Sequence, residues 1–477
     1  MNSRTNINPA SLRIWQENLN KSATAQHCIL SGPFTAKEWD VIVIQEPVID
    51  DLGNTKATPD WNVIYPSHKY THQSRTRVVT LVHKCINTNN WRQIPFPSTD
   101  VVIVQITGIY GHVTIFNIYD DSKIHNVIPL LTTFLSRELP TVWPTPIAHM
   151  IWLGDFNAHH YMWEEERNAH LCDPVEAQET AQQLIDLMAT HNMRLLVALP
   201  KDLPTLQSSS TGNWTRPDNV FCTAHTIDVI SQCNTKPRRC PPCTDHVPIL
   251  IRLDIEVPQT DQAVTWNFRE TDWKWFCEKL AEHLNTIPPP KLIASEAQFQ
   301  TAATDLTNII KRTVEEIVPL SKQCPQAKRW WTKELTLLIK EKNKLSHQSY
   351  KLRGLADHPI HAEHRRSRNK VKEELIKAKK NHWTEYLEGL TQESIYTANK
   401  YITTLYSDGG RTSILVLKGI GPQGTLIDAV TNEEKSQMLA RTFFPPRRRK
   451  ARYHETLSTL TPQNPSHPSW RKKFAQR

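Results

Sequence analysis

Through residue 255 the apolar positions gather into short runs separated by polar breaks. The runs fall at 12–15, 40–45, 78–83, 101–107, 112–119, 149–154, 219–222, 227–231 and 247–253. Most are bounded by Pro, Asn, Asp or Gly, the residues that punctuate strands. Several are apolar throughout, which predicts strands buried on both faces. Elsewhere the period lengthens. Ala177, Ala181, Leu184, Ile185 and Met188 recur at helical spacing. Asp173 and Glu176 read as a capping box ahead of them, with Pro174 in the first turn. A weaker helical pattern covers 128–138. Many strands with interspersed helices predict a layered α/β architecture.

Beyond 255 the texture changes. The stretch 265–284 is aromatic and charged, with Trp266, Trp273, Trp275 and Phe276. A proline cluster at 288–290 marks a break. The pattern is helical over 297–318 and again over 330–390. The stretch 461–469 is rich in Pro and Ser and is expected to be disordered. The chain thus divides into a domain at 1–255, a basic and mainly helical region at 256–460, and a tail at 461–477.

Charge sharpens this division. Residues 1–255 carry a net charge of −4 and residues 256–477 a net charge of +13. Within the second part, 328–380 holds 16 Lys and Arg against 6 Asp and Glu. An acidic half beside a basic half suits a polyanionic partner; the plainer reading of any one basic cluster is a solvated helix. No apolar run reaches the roughly 18 to 20 residues that span a bilayer. Residues 1–9 lack a signal-peptide apolar core. Nine scattered cysteines point to reduced thiols. These features predict a protein of the nucleus or cytoplasm, neither secreted nor bound to a membrane.

Chemistry concentrates at the ends of the apolar runs. Glu46 follows the run at 40–45, where a carboxylate can hold Mg²⁺ through hard oxygen. Gly154-Asp155-Phe156-Asn157 is the most specific motif: Asp can take a proton from an attacking water, and Asn can hold that water or a phosphate oxygen. Asp245 and His246 are adjacent, so on a strand they point to opposite faces and cannot form a dyad with each other. His246 then needs another carboxylate to orient it. Asp218 is the candidate, and Asp228 its rival. Asn18 and Asn20 share a face through their spacing of two, and Tyr119 can donate to a phosphate oxygen. Cys222, Cys233, Cys240 and Cys243 raise the question of zinc, but only Cys240 and Cys243 have ligand spacing.

In order, Glu17-Asn18-Leu19-Asn20, Gln45-Glu46-Pro47, Asn117-Ile118-Tyr119, Gly154-Asp155-Phe156-Asn157, Arg216-Pro217-Asp218 and Thr244-Asp245-His246 resemble the motifs of the endonuclease/exonuclease/phosphatase superfamily, the DNase I-like proteins. The wording is most similar to the endonuclease of LINE-type (non-LTR) retrotransposons, fungal ones in particular. The resemblance covers about 10–255 and implies a four-layer α/β sandwich, two packed β-sheets flanked by helices. It implies a metal-dependent phosphodiesterase that nicks DNA with Mg²⁺, or with Mn²⁺ in its place. It gives Glu46 the principal metal contact, with Asn18 close by, Asn20 in support and Asp245 on the metal side. It makes Asp155 the base with Asn157 its partner, and Tyr119 a contact of the scissile phosphate. His246 stabilises the transition state, oriented by Asp218, and Thr205 touches DNA. The family often has Gly where Lys21 stands, Pro soon after the Tyr where Asp120 and Asp121 stand, and Ser where Thr244 stands.

Trp330-Trp331 and the Lys-rich stretch after it resemble the segment that precedes a reverse transcriptase in these elements. No Tyr-X-Asp-Asp box follows, so the resemblance implies a chain that stops before the polymerase. The basic helices then bind DNA, with RNA as a second ligand. Two other readings stay open: a nucleic-acid-binding remnant without catalysis, and a phosphatase of the same superfamily.

Overall fold

The structure is a computed structural model. It describes residues 11–30, 38–51, 53–58, 60–69, 76–190, 193, 195–208, 211–257, 266–289, 292–320, 330–391, 395–396, 398–399, 417–420, 426–429 and 432–443. The expected disordered tail at 461–477 lies outside the described residues.

The chain order is β1 Leu12–Asn18, α1 Ala23–Leu30, β2 Val41–Gln45, β3 Trp61–Ile64, β4 Val78–His83, β5 Trp91–Ile94, β6 Val101–Gly108 and β7 Gly111–Tyr119. There follow α2 Val127–Val142, β8 His149–Asp155, α3 Val175–Ala189, β9 Leu196–Val197, β10 Leu206–Gln207, β11 Trp214–Thr215, β12 Asp218–Cys222, α4 Ala224–Ile227, β13 Ile230–Thr235 and β14 Ile249–Leu253. Two six-stranded sheets result, in the orders β13-β14-β1-β2-β4-β3 and β5-β6-β7-β8-β12-β9. Each is mixed: β1 runs parallel to β2, and β7 parallel to β8, while the other pairings are antiparallel.

Four layers follow from which residues are apolar on both strand faces. The inner faces meet through Ile14, Val43 and Val82 of the first sheet and Val104, Ile115 and Leu153 of the second. The outer face of the first sheet, with Trp15, Ile42 and Leu81, is covered by Ala25 and Ile29 of α1. The outer face of the second, with Phe116, Trp152 and Phe221, is covered by Leu131 and Leu135 of α2 and Leu184 and Met188 of α3. This is a four-layer α/β sandwich, two packed β-sheets flanked by helices, followed by a helical region.

Some local expectations give way. The residues around 227 close α4, and the strand starts only at Ile230. Asp173 is no helix cap: Pro174 occupies that position without a side-chain bond, and Asp173 instead accepts the Tyr161 hydroxyl. The strands β3 and β5 were not separated as apolar runs, because Asn62, Arg92 and Gln93 interrupt them.

Beyond the sandwich lie α5 Trp273–Leu284 and α6 Glu296–Ile317, capped by Asp272 and Ser295. They meet where His283 Nδ1 approaches Thr313 Oγ1 at 2.9 Å. The helical stretch expected at 330–390 is two helices, α7 Lys333–Lys351 and α8 Pro359–Glu388. The break follows from Gly354 and from Pro359, which starts α8 at its first turn. The two pack as a hairpin around Leu335, Val371 and Leu375.

The hairpin is fastened to the sandwich. Tyr350 fills an apolar site with Trp214 and Val247, and its hydroxyl donates to Pro204 O at 3.0 Å. Buried Lys342 donates to Cys240 O at 2.6 Å, Ser346 to Pro237 O at 3.0 Å, and Arg353 to Glu165 at 2.7 Å. A separate unit holds the hairpin β15 Leu417–Ile420 and β16 Leu426–Ala429 with α9 Asn432–Phe443. Among the described residues no helix is long and apolar enough to cross a membrane.

Candidate active site

At one end of the sandwich the inner-face positions turn from aliphatic to polar. On β1, Leu12 and Ile14 give way to Gln16 and Asn18. On β2, Val43 gives way to Gln45, on β7 Ile115 to Asn117 and Tyr119, and on β8 Leu153 to Asp155; on β12, Asp218 precedes Val220. A strand's period of two puts these polar residues on the same face as the aliphatic ones before them. Strand register then brings them level: Asn18 pairs with Gln45, and Asp155 with both Tyr119 and Asp218.

Buried polar groups demand partners, and these find one another. Gln16 Nε2 donates to Gln45 Oε1 at 2.8 Å and Asp218 Oδ1 at 3.0 Å. Gln45 Nε2 donates to Asn117 Oδ1 at 2.7 Å, and Asn117 Nδ2 to Val79 O at 2.9 Å. This amide ladder ties the two sheets beneath the site.

Above it, ligand atoms of Asp155, Asp218 and His246 lie within 4.8 Å of one another, all three buried. His246 Nδ1 meets Asp218 Oδ2 at 2.8 Å. The same Asp218 oxygen accepts the Thr205 hydroxyl at 2.7 Å. Asp155 accepts Asn18 Nδ2 at 2.8 Å and the Asn157 backbone N–H at 3.0 Å. Thr205 is wholly buried. A hydroxyl so placed donates to the Asp218 carboxylate; the DNA contact that the resemblance implied for Thr205 stands as an expectation. Asp228, the rival of Asp218, is the C-cap of α4.

Around this centre stand the remaining candidates. Glu46 receives the Tyr119 hydroxyl at 3.3 Å and Lys21 Nζ at 3.2 Å. Asn157 Nδ2 donates to Asp120 O at 2.6 Å. Asn20 Nδ2 donates to Asp245 Oδ1 at 3.2 Å. Glu46 and Asp245 stand outside the tight acid–imidazole group. Asn20, Lys21, Glu46 and Asn157 all have positive φ, between 45° and 55°. Side-chain-bearing residues rarely adopt that region, and such strain persists only where the surroundings over-determine it. Gly154 has φ 147°, and a Cβ there would lie 1.8 Å from Ile118 O. Only glycine lets β8 approach β7 this closely just before Asp155.

The electrostatics are crowded. Burial, then the neighbouring Asp218 charge, pushes the Asp155 carboxyl up to about 7. Burial alone would lower His246, but Asp218, Asp155 and Asp245 overcome it and raise the imidazole to about 10. Burial also raises the Tyr119 hydroxyl, with Glu46 and Asp155 adding to it. Glu17, buried on the opposite face of β1, is raised well above the usual carboxylate range by burial, although Trp15 Nε1 donates to it at 3.1 Å.

The cysteines do not converge. Cys222 and Cys233 pack in the inter-sheet core, and Cys240 Sγ donates to His246 O at 3.2 Å. Among the described residues no cysteine joins a metal-ligating group.

Residues 113–250 match a family model described as Endonuclease-reverse transcriptase. The match is a similarity of this segment, which includes Asp155, Asp218 and His246, to that family. Solved structures are also similar to part of this chain. The endonuclease domain of TRAS1, a telomere-specific non-LTR retrotransposon, is 18% identical over 51% of this chain and 98% of its own, with a TM-score of 0.39. The AP endonuclease LMAP from Leishmania major is 13% identical over 51% of this chain and 88% of its own, with a TM-score of 0.41. An AP endonuclease from Archaeoglobus fulgidus is 16% identical over 51% of this chain and 100% of its own, with a TM-score of 0.37. No curated protein matches the chain.

Within the sandwich, three contributors had no role assigned from the sequence. Gln45 belongs to the Glu46 motif and Gln16 stands beside the Asn18 motif, and the signal of each was an amide following aliphatic positions on one strand face. Arg77 stacks 5.0 Å from the Tyr119 ring and pairs with Asp100 at 2.7 Å and with Asp121. No sequence pattern links residues so far apart.

Proposed function

We propose that the sandwich is a divalent-metal-dependent phosphodiesterase that nicks DNA. The observation that carries this reading is the convergence of Asp155, Asp218 and His246 from distant strands and loops, ringed by Asn18, Tyr119 and Glu46. Asp155 takes the proton of the attacking water. With its carboxyl raised to about 7, the ionised Asp155 is a stronger proton acceptor than an ordinary carboxylate, and about half of it is in that form near pH 7. Asn157, held by Asp120 O, borders that water. His246 spends Nδ1 on Asp218, which leaves Nε2–H to donate to a phosphate oxygen as negative charge grows there. Thr205 and Gln16 are positioning residues that fix Asp218. The Tyr119 hydroxyl turns from Glu46 to a phosphate oxygen.

The donors suit a hard cation, Mg²⁺ first and Mn²⁺ second. Glu46 and Asp155 offer carboxylate oxygens, Asp245 a third on the outer side, and Asn18 is the adjacent amide. A bound cation supplies Lewis-acid polarisation of the phosphate. Crowded carboxylates with one proton held at Asp155 are the environment such an ion relieves.

The test is conversion of supercoiled plasmid to the nicked circle, with Mg²⁺ and with EDTA. The wild type is expected to nick only with the metal. Asp155→Asn and His246→Ala are expected to lose about a hundredfold or more in rate while keeping the wild-type circular dichroism. A folded His246→Ala variant that nicks at the wild-type rate ends this reading.

A further inference from the structure

The basic helix α8 passes beside the loop that carries Asp245, next to His246. An open cavity is lined on the sandwich side by Asn20, Thr244 and Asp245 and on the α8 side by Arg368, Asn369 and Lys372. Arg368 and Lys372 stand four apart, so they share one helix face. Farther along that face, Lys379 lies 5.0 Å over the Trp330 ring. Cys243, on the loop leading to His246, lines the same cavity as Arg368 and Lys372. Among the described residues no ion pair engages Arg368 or Lys372. The α8 carboxylate Glu374 lines a different cavity, beside Thr332 and Lys377.

The placement of these cations is fixed from behind. The segment 237–246 carries Asp245 and His246, and α7 grips it through Lys342 on Cys240 O and Ser346 on Pro237 O. Because α7 and α8 share one apolar core, Arg368 and Lys372 are held relative to the same loop. A solvated linker helix would need no such fastening.

We infer that Arg368, Asn369 and Lys372 form a subsite for backbone phosphate of a DNA duplex, next to the nucleotide whose phosphate is cut. The inference rests on the nuclease reading for the position of that cut. Guanidinium, amide and ammonium donors within two turns of one helix are the set that grips phosphate oxygens. Contacts of this kind fix the register of a duplex on a protein and carry no sequence preference. The helical hairpin is then a wall of the nuclease cleft.

The test uses the full chain and a short labelled DNA duplex in EDTA, so that binding is read without cleavage, over a series of salt concentrations. Arg368→Gln/Lys372→Gln is expected to weaken binding by about tenfold and to flatten the log–log salt slope by about 1.8, two phosphate contacts' worth. Arg368→Lys/Lys372→Arg keeps both charges and is expected to retain the slope. Inorganic phosphate at millimolar concentration should compete weakly and equally for the wild type and the Gln variant, since one phosphate alone does not span the cleft. A folded Gln variant with unchanged affinity and slope overturns the subsite, whatever the nicking assay gives. A wild type that binds with this salt dependence and never nicks overturns the nuclease reading and leaves the subsite standing.

Discussion

At the scale of the residue, Asp155 and His246 are pushed in the same direction for opposite reasons. The Asp155 carboxyl rises to about 7 because burial and Asp218 oppose its charge. The His246 imidazole rises to about 10 because the carboxylates favour its charge more than burial opposes it. The base works deprotonated, so activity grows as pH rises through about 7. The imidazolium works protonated, so activity falls as pH rises through about 10. A bell is expected for kcat/KM of nicking, each limb lying at or below these values because the bound cation opposes protonation of both groups, with apparent pKa values that belong to the coupled group. Asp218→Asn removes the largest influence raising His246, so its alkaline limb must move toward lower pH as well as lose height. An alkaline limb that stays put would mean that another group sets it. Much of this site was legible in the chain. Glu46 and Asp155 follow apolar runs, Asp218 and His246 precede them, and their order reads as one family's motifs. Thr205 was legible as a motif residue but not as a buried one, because exposure depends on β10, β11 and the helix packed over them.

At the scale of the element, alternation decided the site. A strand that reads apolar on its inner face and then turns polar announces where the sandwich opens, as β1, β2, β7 and β8 all do. Boundaries were less legible. The residues around 227 are as apolar as a strand, yet they close α4, because the turn through Thr223 is fixed by Thr226. Gly154 shows how tightly two elements can meet. Its φ of 147° and the 1.8 Å approach to Ile118 O leave no room for a methyl group. Gly154→Ala must push β8 off β7 at the residue that precedes Asp155. A loss of about 3 kcal/mol or more is expected in denaturant unfolding, together with loss of nicking in whatever fraction folds. A variant with wild-type stability would show that the two strands can separate there at little cost.

At the scale of the whole molecule, the charge division read from the sequence has a structural counterpart. The acidic sandwich and the basic hairpin are joined through Tyr350, Lys342, Ser346 and Arg353. No periodicity could have shown this, since Tyr350 meets Trp214 and Val247 from more than a hundred positions away. If the basic region were a tether, a chain ending at residue 257 would fold and cut as well as the full chain. The contacts argue otherwise. Tyr350 is a buried aromatic, and deleting such a side chain costs about 3 to 5 kcal/mol. Trp214 and Val247 would be uncovered beside the loop that carries His246. For a domain of this size a loss of about 3 kcal/mol lowers the melting temperature by about 6 to 12 °C. The shortened chain is expected to melt lower by that amount, to nick more slowly, and to show a shallower salt dependence of DNA binding. Tyr350→Ala in the full chain separates the causes: it should reproduce the lower melting temperature while keeping Arg368 and Lys372 in the molecule. Equal melting temperatures for the full and shortened chains would return the hairpin to the status of a linker.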